Sequence, residues 1–426
     1  MNTHLNHARL LLGALVFGTT INVVMAASEA GAVSAKLKEA FALAKTERLA
    51  VIALGDSNQR FGGHGYSRYM SRALGEGFGC YGSDLLVYRE MPEKDAPPLE
   101  KPPAALAEQA FGYWYVPPGH DGSVSWKNGQ IIIPADHPLG VSGNLRFHLY
   151  YGTFQGADAG GVFRPVIRRD TPPWTILASG PEPINPVTGD FAIKHFTLDL
   201  PASDQRNWQV QFMPVAAGKS VRGPFLASIA SCENTDKKAG IAYNTLYAVG
   251  GKSVRDMVLK LREGNSTQMD EYIAVVRQPL NGHKTGVVMI CSGLNDRNDH
   301  GPSLGISAGL DSSSPEGYAD NLSALVSELQ SAWERTGGTA STLHFAFMPS
   351  HALGDPDDAK LAAYRVAAKA LAARLPNASS IDLAKLVPYQ EMADGKYYDR
   401  GLSSGSHLTE GGYAAISQAL VNALSQ

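Results

Sequence analysis

Two residues far apart in the chain have the types that catalyse acyl transfer. Ser57 follows the apolar run Leu49–Leu54 in LAVIALGDSNQ, at the point where a predicted strand ends. His407 lies in the polar, glycine-rich stretch GLSSGSHLTEGG, directly before a predicted helix. A hydroxyl activated by a neighbouring imidazole is a nucleophile with its general base. Taken alone, however, Asp56 and Ser57 fit a helix cap equally well.

Two further stretches add the hydrogen-bond donors that such a reaction needs. YAVGGKSVRDM, which contains Gly251, and CSGLND, which contains Asn295, each place glycines between a predicted strand and a helix. In an open parallel sheet the carboxyl ends of the strands form one rim, where ligands bind. The chain therefore supplies a hydroxyl, a backbone N–H, an amide and an imidazole for a single rim. Together these groups make a nucleophile, an oxyanion hole and a base.

The segments that position these residues show two kinds of hydrophobic pattern. From about residue 36 to 78 and from about 240 to the end, short apolar runs alternate with helical patterns. This alternation predicts a parallel sheet covered by helices on both faces. The predicted strands are Leu49–Leu54, Tyr243–Val249, Gly286–Cys291, Leu343–Met348 and Ser380–Leu383. The predicted helices are Ala35–Lys45, Tyr66–Leu74, Val254–Arg262, Ala319–Arg335, Asp358–Arg374 and Thr409–Leu424.

Residues 80–238 interrupt this pattern. Apolar and polar residues alternate there with period two, as at Leu145, Phe147 and Leu149, and helical periodicity is absent. Such alternation is typical of an antiparallel β-sandwich of the jelly-roll kind, and carbohydrate binding is a candidate role for it. We therefore predict an α/β hydrolase domain in two parts, 27–79 and 239–426, with an inserted β-sandwich between them.

The chain resembles the SGNH subgroup of GDSL-type esterases and lipases, whose four sequence blocks occur here in order. The blocks are Gly55-Asp56-Ser57, the stretch around Gly251, Gly293-Leu294-Asn295-Asp296 and Ser406-His407-Leu408-Thr409. The resemblance implies a flavodoxin-like three-layer fold in which Ser57 is the nucleophile and His407 is the base. It also implies that the N–H groups of Ser57 and Gly251 and the Asn295 amide hold the oxyanion. The resemblance does not extend to the insert.

One position departs from the family pattern. The last block of the family has an aspartate three residues before the histidine, whereas this chain has Ser404 there. Three interpretations stay open: Asp399 reaches the imidazole from a longer loop, a backbone carbonyl accepts the Nδ1 proton of His407, or the site is inactive. His64 and Asp56 lie close to Ser57 in the sequence, and we predict that they contact substrate; a solvated turn residue is the alternative for His64.

Composition limits the partners and the cellular location. The chain has 426 residues, of which 44% are apolar and 18% charged, and its formal net charge is −3. No basic stripe is present, which argues against nucleic acid or an anionic membrane as the main partner. Residues 1–26 are typical of a cleaved signal peptide, with a membrane anchor as the alternative. No later run is long enough to span a bilayer, so we expect a secreted or periplasmic protein. The oligomeric state is left open.

The cysteines and acidic residues suggest no metal or cofactor. Cys80 and Cys232 flank the insert and are predicted to form a disulfide, whereas Cys291 lies in a predicted buried strand. No cysteine and histidine spacing matches a zinc site, Asp296 and Asp299 make no convincing metal site, and the reaction needs no cofactor.

We therefore expect an exported serine esterase that hydrolyses carboxylic esters through an acyl-serine intermediate. Export and the β insert favour O-acetyl groups on a polysaccharide or oligosaccharide as the substrate. One alternative is an O-acetyltransferase that moves the acyl group between glycans. The other is a glycan-binding protein with an inactive hydrolase fold, which would explain the missing aspartate.

Overall fold

The described part of the protein is a set of ranges separated by gaps. The structure is a computed structural model that describes residues 33–59, 65–84, 114–116, 124–127, 143–153, 163–169, 173, 175–180, 192–200, 208–214, 225–227, 231–248, 250–263, 266–307, 309–353, 358–399 and 406–426. The predicted signal peptide, His64 and Ser404 lie outside these ranges.

The helices and strands within these ranges follow in chain order. The strands are β1 (Arg48–Gly55), β2 (Cys80–Asp84), β3 (Trp114–Val116), β4 (Val124–Lys127), β5 (Leu145–Thr153), β6 (Phe163–Arg169), β7 (Ile176–Ser179), β8 (Ala192–Leu200), β9 (Trp208–Pro214), β10 (Phe225–Ala227), β11 (Ser231–Asn234), β12 (Gly240–Ala248), β13 (Gly286–Ser292), β14 (Leu343–Pro349) and β15 (Ala378–Ser380). The helices are α1 (Ala35–Ala42), α2 (Tyr66–Phe78), α3 (Val254–Glu263), α4 (Ser266–Arg277), α5 (Pro315–Arg335), α6 (Ala359–Arg374), α7 (Leu383–Leu386), α8 (Tyr389–Asp394) and α9 (Glu410–Ser425).

A parallel sheet forms the centre of the α/β part. Its strands lie in the order β15-β14-β13-β1-β12-β2, and each neighbouring pair is parallel. With β2 left aside, the other five strands follow the order 2-1-3-4-5 along the chain, which is the flavodoxin-like doubly wound order. The α/β fold predicted from the sequence is therefore present. In this order the crevice beside β1 and β13 is the position where ligands bind.

Helices cover both faces of this sheet. In β1, Ile52 and Leu54 lie in an apolar core that includes residues of α3, α4, α5 and α6. The intervening Val51 and Ala53 lie in a second core with residues of α1, α2 and α9. Successive side chains of a strand point to opposite faces, and both faces of β1 are apolar because both are covered.

The sheet continues beyond β2 with antiparallel strands. β11 pairs antiparallel with β2 and β5, and β5 pairs antiparallel with β8 and β10. A second, four-stranded sheet has the order β4-β9-β6-β7 and is also antiparallel. Antiparallel pairing was predicted for this region, whereas the jelly-roll sandwich and the domain boundaries stay predictions. β2, which the sequence analysis assigned to the insert, pairs parallel with β12 in the central sheet.

A buried ion pair joins the parallel and antiparallel parts of the sheet. Arg48, the first residue of β1, donates to Glu233 of β11 over 2.6 Å, and both side chains are buried. His148 of β5 lies 2.9 Å from the other Glu233 oxygen. The Arg48 guanidinium also lies over the Tyr81 ring, 4.7 Å from its centroid. Removal of Glu233 would leave the buried Arg48 guanidinium without its counter-ion, so this pair links β1 to β11.

The predicted disulfide is wrong. Cys80 and Cys232 are both buried free thiols. The antiparallel register places Ser83, not Cys80, opposite Cys232. Three residues along a strand span roughly 10 Å, and a disulfide requires Cα atoms within about 7 Å. The two thiols therefore lie on neighbouring strands at positions that cannot be bridged.

The boundaries of two predicted elements also differ from the structure. Ser380–Leu383 was predicted as a strand, but β15 ends at Ser380 and Leu383 begins the helix α7. Asp382 causes this change, because its carboxylate accepts a hydrogen bond from the Ala384 N–H over 3.2 Å and caps the helix. The helix α4 (Ser266–Arg277) was not predicted.

Neither a membrane-spanning helix nor a metal-binding cluster is found within the described ranges. No helix in them is long and apolar enough to cross a membrane. Nor do these residues include a group of three or more histidine, cysteine, aspartate or glutamate side chains that could hold a metal ion.

Candidate active site

Ser57 lies at the carboxyl end of β1, where the sheet order places a ligand site. The residue is half-buried and belongs to a turn in which the Gln59 N–H donates to the Asp56 carbonyl over 3.1 Å. Gly55, the last residue of β1, is pressed against β13. A Cβ atom at position 55 would lie 2.8 Å from the Cys291 carbonyl oxygen, so only glycine fits here.

His407 is the hydrogen-bond partner of this serine. The distance between His407 Nε2 and Ser57 Oγ is 2.8 Å, although 350 residues separate the two in the chain. His407 is exposed and lies three residues before α9. With Nε2 unprotonated, the imidazole can accept the hydroxyl proton at this distance, which is the geometry required of a nucleophile and its general base.

A second contact holds the same two segments together. Tyr413, in the first turn of α9, donates its hydroxyl to the Asn58 side-chain oxygen over 2.8 Å. The Asn58 carbonyl in turn accepts from the N–H of Tyr66, the first residue of α2, over 2.7 Å. Asn58 is therefore fixed from two helices, and the turn that carries Ser57 is held against the segment that carries His407. Neither Asn58 nor Tyr66 was predicted from the sequence as a site residue.

Gly251 and Asn295 follow the two strands that flank β1. Gly55 of β1 is in register with Ala248 of β12 and with Cys291 of β13, so the three strands end at the same level. Gly251 has φ +77°, a left-handed conformation that favours glycine, and the space where a Cβ would point is open. The Asn295 amide donates to the Lys252 carbonyl over 3.2 Å and so links the two loops. The structure thus brings the loops of both predicted oxyanion donors to the rim that holds Ser57.

Asp399 meets His407 through the backbone. The Asp399 N–H donates to the His407 carbonyl over 3.1 Å, beside an isolated antiparallel bridge between Tyr398 and Leu408. The Asp399 side chain is exposed. A role for its carboxylate as the acceptor of the imidazole proton therefore stays a proposal, as does the alternative of a backbone carbonyl.

Asp56 is buried beneath the turn and accepts a hydrogen bond from the Asn58 N–H over 2.8 Å. Burial raises the pKa of the Asp56 carboxyl to about 6, and the hydrogen bonds from Asn58 oppose this rise. Because the side chain is only 1% exposed, its contacts are to the protein. The geometry favours a supporting role for Asp56 over the substrate contact that was predicted.

This buried carboxyl predicts a specific dependence of stability on pH. Its folded pKa lies above the unfolded value, so the folded state holds the proton between about pH 4 and pH 6 and the unfolded state does not. Protonated Asp56 therefore stabilises the folded state. This contribution to the free energy of unfolding, about 3 kcal/mol in all, is fully present below the unfolded pKa and is lost as the pH rises through 6. We expect the wild type to lose this amount relative to Asp56→Asn between pH 4 and pH 7, measured by urea unfolding. Parallel stability curves for the two proteins would contradict the raised pKa.

Two polar side chains that follow β13 and β14, Arg297 and His351, have partners within the fold. Arg297 lies in the loop after β13 and pairs with Asp358 at 2.5 Å, so its guanidinium is not available as an anion site. His351 follows β14 and is fully buried, with Nδ1 3.0 Å from the Tyr66 hydroxyl. His64 lies outside the described residues, so its predicted contact with substrate stays a prediction.

Comparisons with known proteins give only distant similarities. No family model matches the chain, and no curated protein matches it. Among solved structures it is similar to a carbohydrate esterase family 2 enzyme plus carbohydrate binding domain from Corynascus thermopiles (Myceliophthora fergusii), with 15% identity, 74% of this chain and 98% of that chain covered, and a TM-score of 0.28.

Two further solved structures resemble the chain to a similar extent. An acetyl xylan esterase from the rumen bacterium Butyrivibrio proteoclasticus has 9% identity, with 74% of this chain and 95% of that chain covered and a TM-score of 0.26. A salicylyl-acyltransferase from a tetracycline biosynthetic pathway has 13% identity, with 65% of this chain and 79% of that chain covered and a TM-score of 0.25. At such low identities and TM-scores these similarities carry no inference about activity.

Proposed function

We propose that this protein is a serine esterase of the SGNH type that hydrolyses O-acetyl esters of carbohydrates. The observation that carries the proposal is the 2.8 Å hydrogen bond between Ser57 Oγ and His407 Nε2 at the carboxyl end of β1. The two flanking strands end in register with β1, and their loops supply Gly251 and Asn295 at the same rim. This shared rim supports the proposal that a nucleophile, a base and two oxyanion donors act on one ester.

The first half of the reaction forms an acyl-serine. Ser57 Oγ attacks the ester carbonyl carbon while His407 Nε2 takes the hydroxyl proton. The carbonyl oxygen becomes an oxyanion that accepts hydrogen bonds from the N–H groups of Ser57 and Gly251 and from the Asn295 amide. When the tetrahedral intermediate collapses, the bond to the sugar oxygen breaks, and His407 returns its proton to that oxygen.

The second half releases the acid. Water takes the place of the alcohol and attacks the acyl carbon, with His407 again accepting a proton. Collapse of the second intermediate breaks the bond to Ser57 Oγ, which recovers its proton from the imidazole. Every proton thus passes through His407, and the products are an alcohol and a carboxylic acid.

Two features of the architecture support an acetylated polymer as the proposed substrate. His407 is exposed and Ser57 is half-buried, so solvent reaches both side chains, which is compatible with an ester displayed on a large molecule. Antiparallel strands continue the hydrolase sheet through β2 and β11, and β2 lies beside β12, the strand that precedes Gly251. Together with the expected export, these features favour a polymeric, acetylated substrate over a small soluble ester.

Acetate release from a panel of acetylated polysaccharides tests this proposal. Wild-type protein should release acetate from at least one acetylated polysaccharide, and Ser57→Ala should release none above the uncatalysed rate. If acetate is released only from small aryl esters, the protein is an esterase but the proposed carbohydrate substrate is wrong. When unacetylated glycan acceptors are added, acetylated acceptor in place of free acetate would identify a transferase instead.

A further inference from the structure

A buried carboxylate lies between the two loops that carry the candidate oxyanion donors. Asp296 is 1% exposed. Its Oδ2 accepts the Gly293 N–H over 2.9 Å, and its Oδ1 accepts the Val254 N–H over 2.9 Å. Both acceptors of one side chain are thus used by backbone donors that belong to two different strand-to-helix loops.

Each of these backbone donors stands next to a candidate oxyanion donor. Gly293 begins the turn that presents Asn295, and its φ of +104° requires glycine. Val254 is the first residue of α3, three residues after Gly251. Because Asp296 holds both residues, a displacement of either loop relative to the other would stretch one of its two hydrogen bonds.

The Asn295 amide also links its own turn to the loop of Gly251. Its Nδ2 donates to the Lys252 carbonyl over 3.2 Å. This bond uses one of the two amide hydrogens, fixes which side of the amide is the donor, and leaves the second hydrogen for an oxyanion. Two hydrogen bonds therefore run between the loop of Gly251 and the turn of Asn295, one from the Val254 N–H to Asp296 and one from the Asn295 amide to Lys252. The third, from the Gly293 N–H to Asp296, closes the turn itself.

We infer that Asp296 is a positioning residue that sets the distance between the two halves of the oxyanion hole. The inference rests on the proposed function, because it concerns the same reaction. Asp296 touches no reacting atom; it acts through the backbone of Gly293 and Val254. Misplacement of a reacting or stabilising group by about 1 Å is enough to reduce a rate by about 100-fold.

The chain contains a matched control for this role. Asp320 of α5 is also buried, and its two oxygens accept the N–H groups of Gly305 and Ser307 over 3.0 Å each. Like Asp296 it accepts one backbone N–H on each oxygen, but the loop that it holds carries neither Gly251 nor Asn295. An Asn replacement removes one acceptor in each case and places an NH2 group against a backbone N–H.

Steady-state kinetics on p-nitrophenyl acetate compare the two variants. We expect Asp296→Asn to lower kcat by about 10- to 100-fold with KM changed less than about threefold, since the donors act on the transition state. Asp320→Asn should lower the melting temperature to a similar extent and leave kcat within about twofold. Equal kcat values for the two variants would overturn the inference.

A double-mutant cycle separates positioning from general destabilisation. If Asp296 acts through the oxyanion donors, its replacement should cost less than about threefold in kcat when Asn295 is already alanine. An undiminished cost in that background would show that Asp296 acts elsewhere. Val254→Pro serves if Asp296→Asn does not fold, because proline is tolerated at the first helical position and removes the N–H that Asp296 accepts. It should lower kcat by about tenfold with KM unchanged, and an unchanged kcat would overturn the inference.

The same data distinguish failure of the inference from failure of the proposed function. If wild-type protein shows no hydrolysis that depends on Ser57, the proposed function is wrong and the inference falls with it. If wild-type hydrolysis depends on Ser57 and Asn295, but Asp296→Asn retains full kcat, the esterase stands and only the positioning role is wrong.

Discussion

Replacement of His407 by alanine is expected to lower kcat for ester hydrolysis by about 10⁴- to 10⁶-fold. The imidazole lies 2.8 Å from Ser57 Oγ, and a serine hydroxyl without its base is a weak nucleophile. In a well-studied serine protease, loss of the histidine alone costs about 10⁶ in kcat. The measurement is steady-state hydrolysis of p-nitrophenyl acetate by protein whose folding has been checked by circular dichroism.

Two companion variants identify what orients the imidazole. Asp399 joins His407 through a backbone hydrogen bond, and its carboxylate is exposed. We therefore propose a Ser–His dyad in which a backbone carbonyl accepts the Nδ1 proton, and we expect Asp399→Asn to change kcat by less than about tenfold. A loss near 10⁴-fold would instead identify Asp399 as the acid of a relocated triad. Loss of activity in well-folded Ser404→Ala would contradict both arrangements.

Replacement of Asn295 by alanine is expected to lower kcat by about 100- to 1000-fold, with little change in KM. An oxyanion donor is used fully only once charge develops on the carbonyl oxygen, and removal of one such donor elsewhere costs this amount. Loss of the amide also breaks its hydrogen bond to the Lys252 carbonyl. The loop of Gly251 therefore loses one of its attachments at the same time.

Asn298 provides the control for this variant. It belongs to the same loop, three residues further along, and its side chain is exposed. Asn298→Ala should keep kcat within about twofold of wild type, as is usual for exposed positions. If Asn295→Ala raises KM and leaves kcat unchanged, the amide binds substrate and does not stabilise the transition state.

The α/β fold could be predicted because its elements are long and strongly patterned. The strands β1, β13 and β14 are continuous apolar runs, which is what burial on both faces requires. The long helices α5, α6 and α9 were predicted to within four residues of their observed ends, whereas the short α7 and α8 were not predicted. The helix α4 was missed even though Met269, Ile273 and Val276 have helical spacing and are buried.

The elements that were predicted wrongly depend on contacts that the sequence does not display. The disulfide was inferred from positions at the two ends of the insert, but the register of β2 and β11 places Cys80 and Cys232 out of reach. A tight turn would fix the register of two strands, but β2 and β11 are far apart in the chain and no such turn joins them. The Asp382 cap that ends β15 early is a single side-chain choice of the same kind.

In the candidate site, too, some residues could be recognised from the sequence and others could not. The types and order of Ser57, Gly251, Asn295 and His407 could be recognised because glycines and polar residues follow predicted strands. The supporting residues could not be recognised in this way. Asn58 is an ordinary turn residue in the sequence. Its two anchoring hydrogen bonds come from helices that begin at residues 66 and 410. Such partners become visible only when the fold brings distant segments together.

The central claim is that Ser57 is a nucleophile activated by His407, and covalent labelling tests it most directly. A fluorophosphonate probe is attacked by the Oγ of an activated serine, in the same way as the ester in the step that forms the acyl-enzyme. Intact-mass analysis should show one adduct per chain, and peptide mapping should locate it on Ser57. The adduct should be absent from Ser57→Ala and form far more slowly in His407→Ala. Labelling that persists in Ser57→Ala, or that maps to another serine of the wild-type chain, would contradict the account.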